Sequence, residues 1–390
     1  MILGQIAWVD CFAFLLFLAP QLIIHVGFFE TAICGIKALP FLLAQLPYQL
    51  IKERYFTPKS QRSPFVQQAS AFQDVVIRCV RYAFAKIPSS IGKVFFSKGV
   101  ALPFLRFRML RHGYLRSPIY WREVNRADMN GIYAIHDETR RPDIVVYYCH
   151  GGGFSMGSAH FYLEFLLAWI SLLKDAGYEN PALFALDYTL VPEATYPTAL
   201  QETLAGYKYV LSIIDDPSHI CVSGDSAGAT LILSLLLCLS DYSSIRNKVP
   251  GLAVIISPWT AIISSKNRNT PSDYLDANSL HLYGSQYIGT KAYADDALVS
   301  PGRCTDLSWW KRASPSAGWF FIYGAEEVFA PETKDLIDVL RKAKLDVVEH
   351  EEKQWIHAWP VVKLFLCNTQ EDRQSGLRSI VNITKERIKK

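Results

Sequence analysis

The pentapeptide Gly224-Asp225-Ser226-Ala227-Gly228 has the spacing of a serine nucleophile held on a sharp turn. A serine hydroxyl is a weak nucleophile. It needs exposure, a neighbouring base and a place for the negative charge that its attack creates. Glycines two positions either side let two chain segments cross closely, and a helix beginning just after the serine brings the positive end of its dipole near that charge. A second run, His150-Gly151-Gly152-Gly153-Phe154, offers backbone N–H groups without side-chain crowding. Gly152, Gly153 and Ala227 are therefore the expected oxyanion hole, with three N–H donors aimed at the oxygen of an attacked ester carbonyl. His150 is expected to brace this loop and not to act as the base.

Both runs need rigid elements behind them. Ile144–Cys149 is a continuous apolar run rich in β-branched and aromatic residues, which reads as a buried strand leading into the first glycine run. His160–Ala176 reads as a helix stopped by Gly177, and Ala182–Asp187 as a strand. Pro197 opens a helix to about Ile214. His219–Ser223 is a strand running into the serine turn, and Ala229–Ser240 the apolar helix after it. Strands follow at Leu252–Ser257 and Trp319–Tyr323, then a helix at Glu332–Lys344 opened by Pro331, and a strand at Leu345–His350. Such alternation predicts an α/β fold, a mostly parallel central sheet with helices on both faces, whose chemistry lies at the carboxyl ends of the strands.

The two glycine runs, Asp187-Tyr188 followed by Pro192-Glu193, and Ser257-Pro258-Trp259 together resemble the hormone-sensitive-lipase branch of the α/β-hydrolases, where arylacetamide deacetylase and fungal steryl acetyl hydrolases lie. The resemblance covers roughly residues 120–363. It departs at Ala229, where the branch usually has a second glycine. It implies the order nucleophile, acid, histidine. Beyond Ser226, His350 and His357 lie far enough along to serve; His350 ends a predicted strand, and His357 lies in the loop beyond, as a catalytic histidine should. The acid should follow the strand Trp319–Tyr323, where Glu326 and Glu327 are adjacent. The branch places it immediately before two apolar residues, which selects Glu327, with Glu326 the runner-up. The implied activity is a serine esterase or deacetylase using Ser226, Glu327 and His357, without metal or cofactor, on a small apolar ester with a short acyl group such as a steryl acetate. Two other readings stay open: a lactone hydrolase or transacylase with the same triad, and a non-catalytic ligand receptor on this fold, against which His357 argues.

Apolar residues make up 50% of the 390-residue chain and charged residues 19%, which excludes a disordered protein. The net charge of +4 conceals a basic block: residues 52–126 hold 15 Lys or Arg against Glu53, Asp74 and Glu123, a local net of +12. Just before it, the apolar run Ile6–Phe29 is long enough to cross a bilayer, and Thr31–Ile51 suits an interface. Residues 1–51 thus read as a membrane anchor, separable because no predicted triad or oxyanion residue lies there. Residues 52–390 read as the hydrolase domain, with 52–119 a basic lid facing anionic lipid and a cap insertion around 260–300 in the 120–390 core. No nucleic-acid motif accompanies the basic block, so lipid is the expected partner. The length of Ile6–Phe29 points to a single N-terminal span, which suits the resemblance, and the resemblance implies an endoplasmic reticulum membrane. Positive charge after the span favours a cytosolic body, whereas Asn382-Ile383-Thr384 would permit a lumenal, glycosylated one. The eight cysteines have no metal-ligand or redox spacing; Cys149, Cys221 and Cys238 lie in apolar runs as core thiols.

Overall fold

The computed structural model describes residues 1–241 and 248–389. Eight strands form one sheet: β1 (Tyr120–Asn125), β2 (Asn130–Ile135), β3 (Ile144–Cys149), β4 (Pro181–Leu186), β5 (Ile220–Asp225), β6 (Leu252–Ile256), β7 (Trp319–Gly324) and β8 (Val347–Glu352). Their order is β1-β2-β4-β3-β5-β6-β7-β8. The β1–β2 and β2–β4 pairs are antiparallel and the others parallel. Every residue of β3 is buried, and its side chains divide between two cores: Val145, Tyr147 and Cys149 on one face, Ile144, Val146 and Tyr148 on the other. That alternation is why a parallel strand covered on both faces reads as one unbroken apolar run.

The expected helices appear as Ala159–Asp175, Thr198–Leu211, Ala227–Asp241 and Ala330–Lys342. The last strand starts two residues later than its apolar pattern implied. Lys344 takes φ 59° and the Leu345 N–H bonds back to the Leu340 carbonyl at 3.1 Å, so Leu345 still belongs to the end of the preceding helix. The β1–β2 hairpin was not expected, because its edge strand Tyr-Trp-Arg-Glu-Val-Asn has little apolar contrast to read. The insertion around 260–300 carries one helix, Ala277–Ile288.

The N-terminal apolar run divides differently from its hydropathy. A helix runs Trp8–His25, the chain turns at Gly27 with φ 98°, and a second helical stretch runs Phe28–Phe56. Both are long and apolar enough to cross a membrane. Residues 52–119 add four short helices, Pro64–Gln68, Ala71–Lys86, Ser89–Phe95 and Lys98–Arg111. Part of their basic charge faces protein. Arg78 is buried with Asp74 at 2.7 Å and Glu53 at 2.5 Å, and Arg108 with Glu164 at 2.7 Å and Asp10 at 3.2 Å.

Candidate active site

Ser226 follows β5 directly and precedes the helix Ala227–Asp241. It takes φ 54°, a left-handed conformation that side chains rarely adopt. The strain is held from both directions: the Ser226 N–H donates to the Ile256 carbonyl at 3.1 Å, and its carbonyl accepts from Trp259 N–H at 3.2 Å. Gly228 permits the crossing, since a Cβ there would lie 2.0 Å from the Cys149 carbonyl oxygen. Three further non-glycine residues around this edge share the left-handed conformation: Phe154, Ser257 and Ala358. Strain of this kind collects where a surrounding structure fixes a functional geometry.

The glycine loop after β3 is tied to this elbow by Asp225. Its Oδ1 accepts from the Gly151 N–H at 2.8 Å and the Tyr148 hydroxyl at 2.6 Å, and its Oδ2 accepts from the Tyr162 hydroxyl at 2.7 Å. The residue before the serine thus sets the position of the loop expected to receive the oxyanion. Gly152 turns at φ 118°, where a Cβ would collide with the Met156 carbonyl. The N–H groups of Gly152, Gly153 and Ala227 have no hydrogen-bond partner among the described residues. His150 stacks on Tyr188 at 4.4 Å and its carbonyl accepts the Tyr188 hydroxyl at 2.9 Å, in keeping with the bracing role expected of it.

Glu327 and His357 lie together. Nδ1 of His357 is 3.5 Å from Oε2 of Glu327, and both side chains are buried. Burial works against a charged imidazole, but Glu327, then Asp273 and Asp225, outweigh it and hold His357 above the ordinary histidine value. Burial, opposed by His357, raises Glu327 above the ordinary carboxylate range. Glu326 is half-buried; its N–H donates to the Trp355 carbonyl at 2.9 Å, and its own carbonyl accepts the Thr270 hydroxyl at 2.7 Å. His350 is engaged elsewhere, with Ser379 and Glu352 each at 3.0 Å.

One residue at this edge was missed by sequence reasoning. Asp273, in the segment inserted after β6, is 1% exposed. Its Oδ2 accepts from the Val328 N–H at 2.8 Å, next to Glu327. Its Oδ1 accepts from the N–H groups of His357 at 3.1 Å and Tyr274 at 2.9 Å. One buried carboxylate therefore ties the loop of the acid to the loop of the histidine. Only its place before an aromatic residue in an inserted loop was readable, and that signal is too weak to find it. Aromatic rings run from the glycine loop to the imidazole: Phe154 stacks on Tyr287 at 3.7 Å and meets Trp259 at 5.9 Å, Trp259 stacks on Phe329 at 5.6 Å, and Phe329 lies edge-on to His357 at 5.2 Å. From the N-terminal helices Phe84 meets Tyr283 at 5.6 Å, and the Phe96 carbonyl accepts the Ser158 hydroxyl at 2.6 Å.

Comparison with known proteins agrees with the fold that holds these residues. A family model described as the α/β hydrolase fold matches residues 146–361. The chain is 29% identical over 219 residues to an acetyl-hydrolase of Streptomyces hygroscopicus, a match covering 54% of this chain and 67% of that protein. It is 30% identical over 158 residues to neutral cholesterol ester hydrolase 1 of Pongo abelii, covering 38% of this chain and 36% of that one. The matched stretch thus spans between about a third and two thirds of these relatives. The crystal structure of an esterase from the bacterial hormone-sensitive lipase family superposes with a TM-score of 0.63 at 22% identity, over 82% of this chain and 99% of that one, a likeness of fold. With the family model covering more than half of its length, the chain belongs to the α/β-hydrolase fold family.

Proposed function

We propose that this chain is a serine carboxylic-ester hydrolase. His357 takes the proton of Ser226 as its oxygen attacks an ester carbonyl, and Glu327 orients the imidazole and balances its charge. The oxyanion rests against the N–H groups of Gly152, Gly153 and Ala227. His357 returns the proton to the leaving alcohol, then activates the water that cleaves the acyl-enzyme. The observation that carries this reading is the buried Glu327–His357 pair at 3.5 Å, on the sheet edge that also holds a left-handed serine and three unpartnered N–H groups. A ligand receptor would gain nothing from a carboxylate buried beside an imidazole, which is costly to desolvate.

The substrate class is an ester of an apolar alcohol with a short acyl group, for which a steryl acetate is the type. The aromatic path from Phe154 to Phe329 supports an apolar alcohol, and the relatives named acetyl-hydrolase and cholesterol ester hydrolase support the class. The site works beside a lipid surface, which would deliver such a substrate, and by resemblance the membrane is that of the endoplasmic reticulum. The helices of residues 52–119 serve as the lid, and Phe84 against Tyr283 supports this.

A panel of acetates, butyrates, long-chain esters and lactones tests the reading, run in water and with an added apolar alcohol. Acetates of apolar alcohols should turn over fastest and release free acid. Predominant transfer to the added alcohol would favour a transacylase. Saturable binding without turnover of any ester would favour a receptor.

A further inference from the structure

The apolar N-terminal helices leave the body and return to it. Before the first, Leu3 is buried in the same core that holds Leu377 and Ile380. The Ile6 N–H donates to the Phe365 carbonyl at 2.9 Å, and Gln5 donates to the Leu366 carbonyl at 2.8 Å. In the first turn of Trp8–His25, Asp10 is fully buried. It is held by Arg111 at 2.6 Å and Arg108 at 3.2 Å, both from the helix Lys98–Arg111. Arg108 in turn holds Glu164 at 2.7 Å, deep in the catalytic body. Further along, Phe14 meets Phe104 at 5.0 Å and Phe95 at 4.5 Å. The same helix leaves Trp8, Phe12, Leu15, Leu16, Ile23 and Ile24 exposed, each by half or more.

The second helical stretch is fastened again as it comes back. Phe41 stacks on Tyr82 at 4.2 Å. Gln49 accepts from Arg78 at 3.2 Å, Glu53 pairs with Arg78 at 2.5 Å, and Arg54 pairs with Asp74 at 2.8 Å. All three partners, Asp74, Arg78 and Tyr82, lie on the helix Ala71–Lys86. Between these fastenings no residue of Phe28–Pro40 is buried, and Phe28, Phe29, Ile33 and Ile36 stand in the open.

A transbilayer helix needs its ends on opposite faces of the membrane, about 30 Å of hydrocarbon apart. Here the chain is anchored to one body at residues 3–10 and again at 41–54. Between them the first helix stays on that body through Phe14, Leu18, Leu22 and Val26, packed with Val94 and Val100, so its far end is not free to reach the opposite face. We propose that residues 8–56 form a hairpin that enters a bilayer from one face only, sinking its exposed apolar side into the near leaflet while no segment of it crosses. The occupant of this surface is lipid. Insertion of this kind buries an apolar face about 5–10 Å deep, with aromatic residues at headgroup level. Trp8, Tyr48, Tyr55 and Phe56 are exposed near the ends of the two helices, and exposed Lys52 and Lys59 supply charge complementary to anionic headgroups. The inference rests on the membrane part of the function proposed above, and separate readouts test the two.

Full-length protein carrying linker-borne epitope tags at both ends is expressed in cells, and sealed microsomes are treated with protease. The protein should stay in the pellet after carbonate extraction, with both tags on the same side. Terminal tags on opposite sides, or a third tag inserted at the Gly27 turn and found on the face opposite to them, would overturn the one-face hairpin and leave membrane attachment standing. Release by carbonate would overturn the attachment itself. Leu16→Glu combined with Ile24→Glu changes exposed positions, so its circular dichroism should match wild type. Its binding to phosphatidylcholine–phosphatidylserine vesicles should fall at least tenfold; unchanged binding would contradict an embedded hairpin.

Discussion

At the scale of single residues, the choice between two adjacent carboxylates is the sharpest test. Glu327 is buried against His357, whereas Glu326 is half-buried with its backbone engaged in loop contacts. Glu327→Gln should lower kcat by a factor on the order of 10³–10⁴, because the imidazole loses both its orienting partner and the charge that stabilises its protonated form. Glu326→Gln should leave kcat near wild type. Steady-state kinetics on a soluble acetate ester reads both, and equal losses would contradict the assignment. The turn at Ser226 and the glycine loop after β3 were legible in the sequence because both are local, written in residues a few positions apart. The carboxylate was legible only through resemblance. Asp225 was legible as a motif letter, but its tether to Gly151 spans 74 positions and depends on β3 and β5 being neighbours.

At the scale of elements, the strands of the parallel sheet could be read because burial on both faces makes them unbroken apolar runs. The edge hairpin β1–β2 and the inserted loop holding Asp273 could not, since their sequences carry little periodicity. Asp273 nevertheless ties together the loops that carry Glu327 and His357, and its charge stands beside the imidazole. The groups that favour the charged form of His357 are Glu327, Asp273 and Asp225; the rings of Phe329 and Tyr274 flank it. A general base works when neutral, so kcat/KM should fall as pH drops through the His357 pKa, and that acid limb should lie above the ordinary histidine value of about 6.5. Asp273→Asn removes one negative neighbour, disfavours the imidazolium and should move the limb to lower pH. It should also reduce kcat by about tenfold to a hundredfold through loss of loop register. A pH profile that keeps its limb while activity falls would reduce Asp273 to a purely structural part.

At the scale of the whole molecule, the separable anchor suggested by hydropathy gives way to a segment built into the body. Hydropathy reports which residues avoid water and says nothing of what they pack against; Asp10, the one acidic residue within Ile6–Phe29, is a buried link to Arg108. Arg108→Met would leave Glu164 buried without its cation and Asp10 with Arg111 alone. It should destabilise the protein by about 3–5 kcal/mol, measured by denaturation in detergent, and neutralising Asp10 and Glu164 in the same chain should recover part of the loss. A chain lacking residues 1–51 should accordingly fold poorly, because the contacts of Leu3 and Asp10 go with it. The central claim is that Ser226 carries the acyl group during turnover. Full-length protein mixed with p-nitrophenyl acetate, quenched in acid within the first turnover and mapped by peptide mass spectrometry should carry one acetyl group, on Ser226. Ser226→Ala should carry none and hydrolyse the ester about 10³-fold or more slowly. Turnover at the wild-type rate by Ser226→Ala, or an acetyl group trapped on another residue of the active protein, would contradict it.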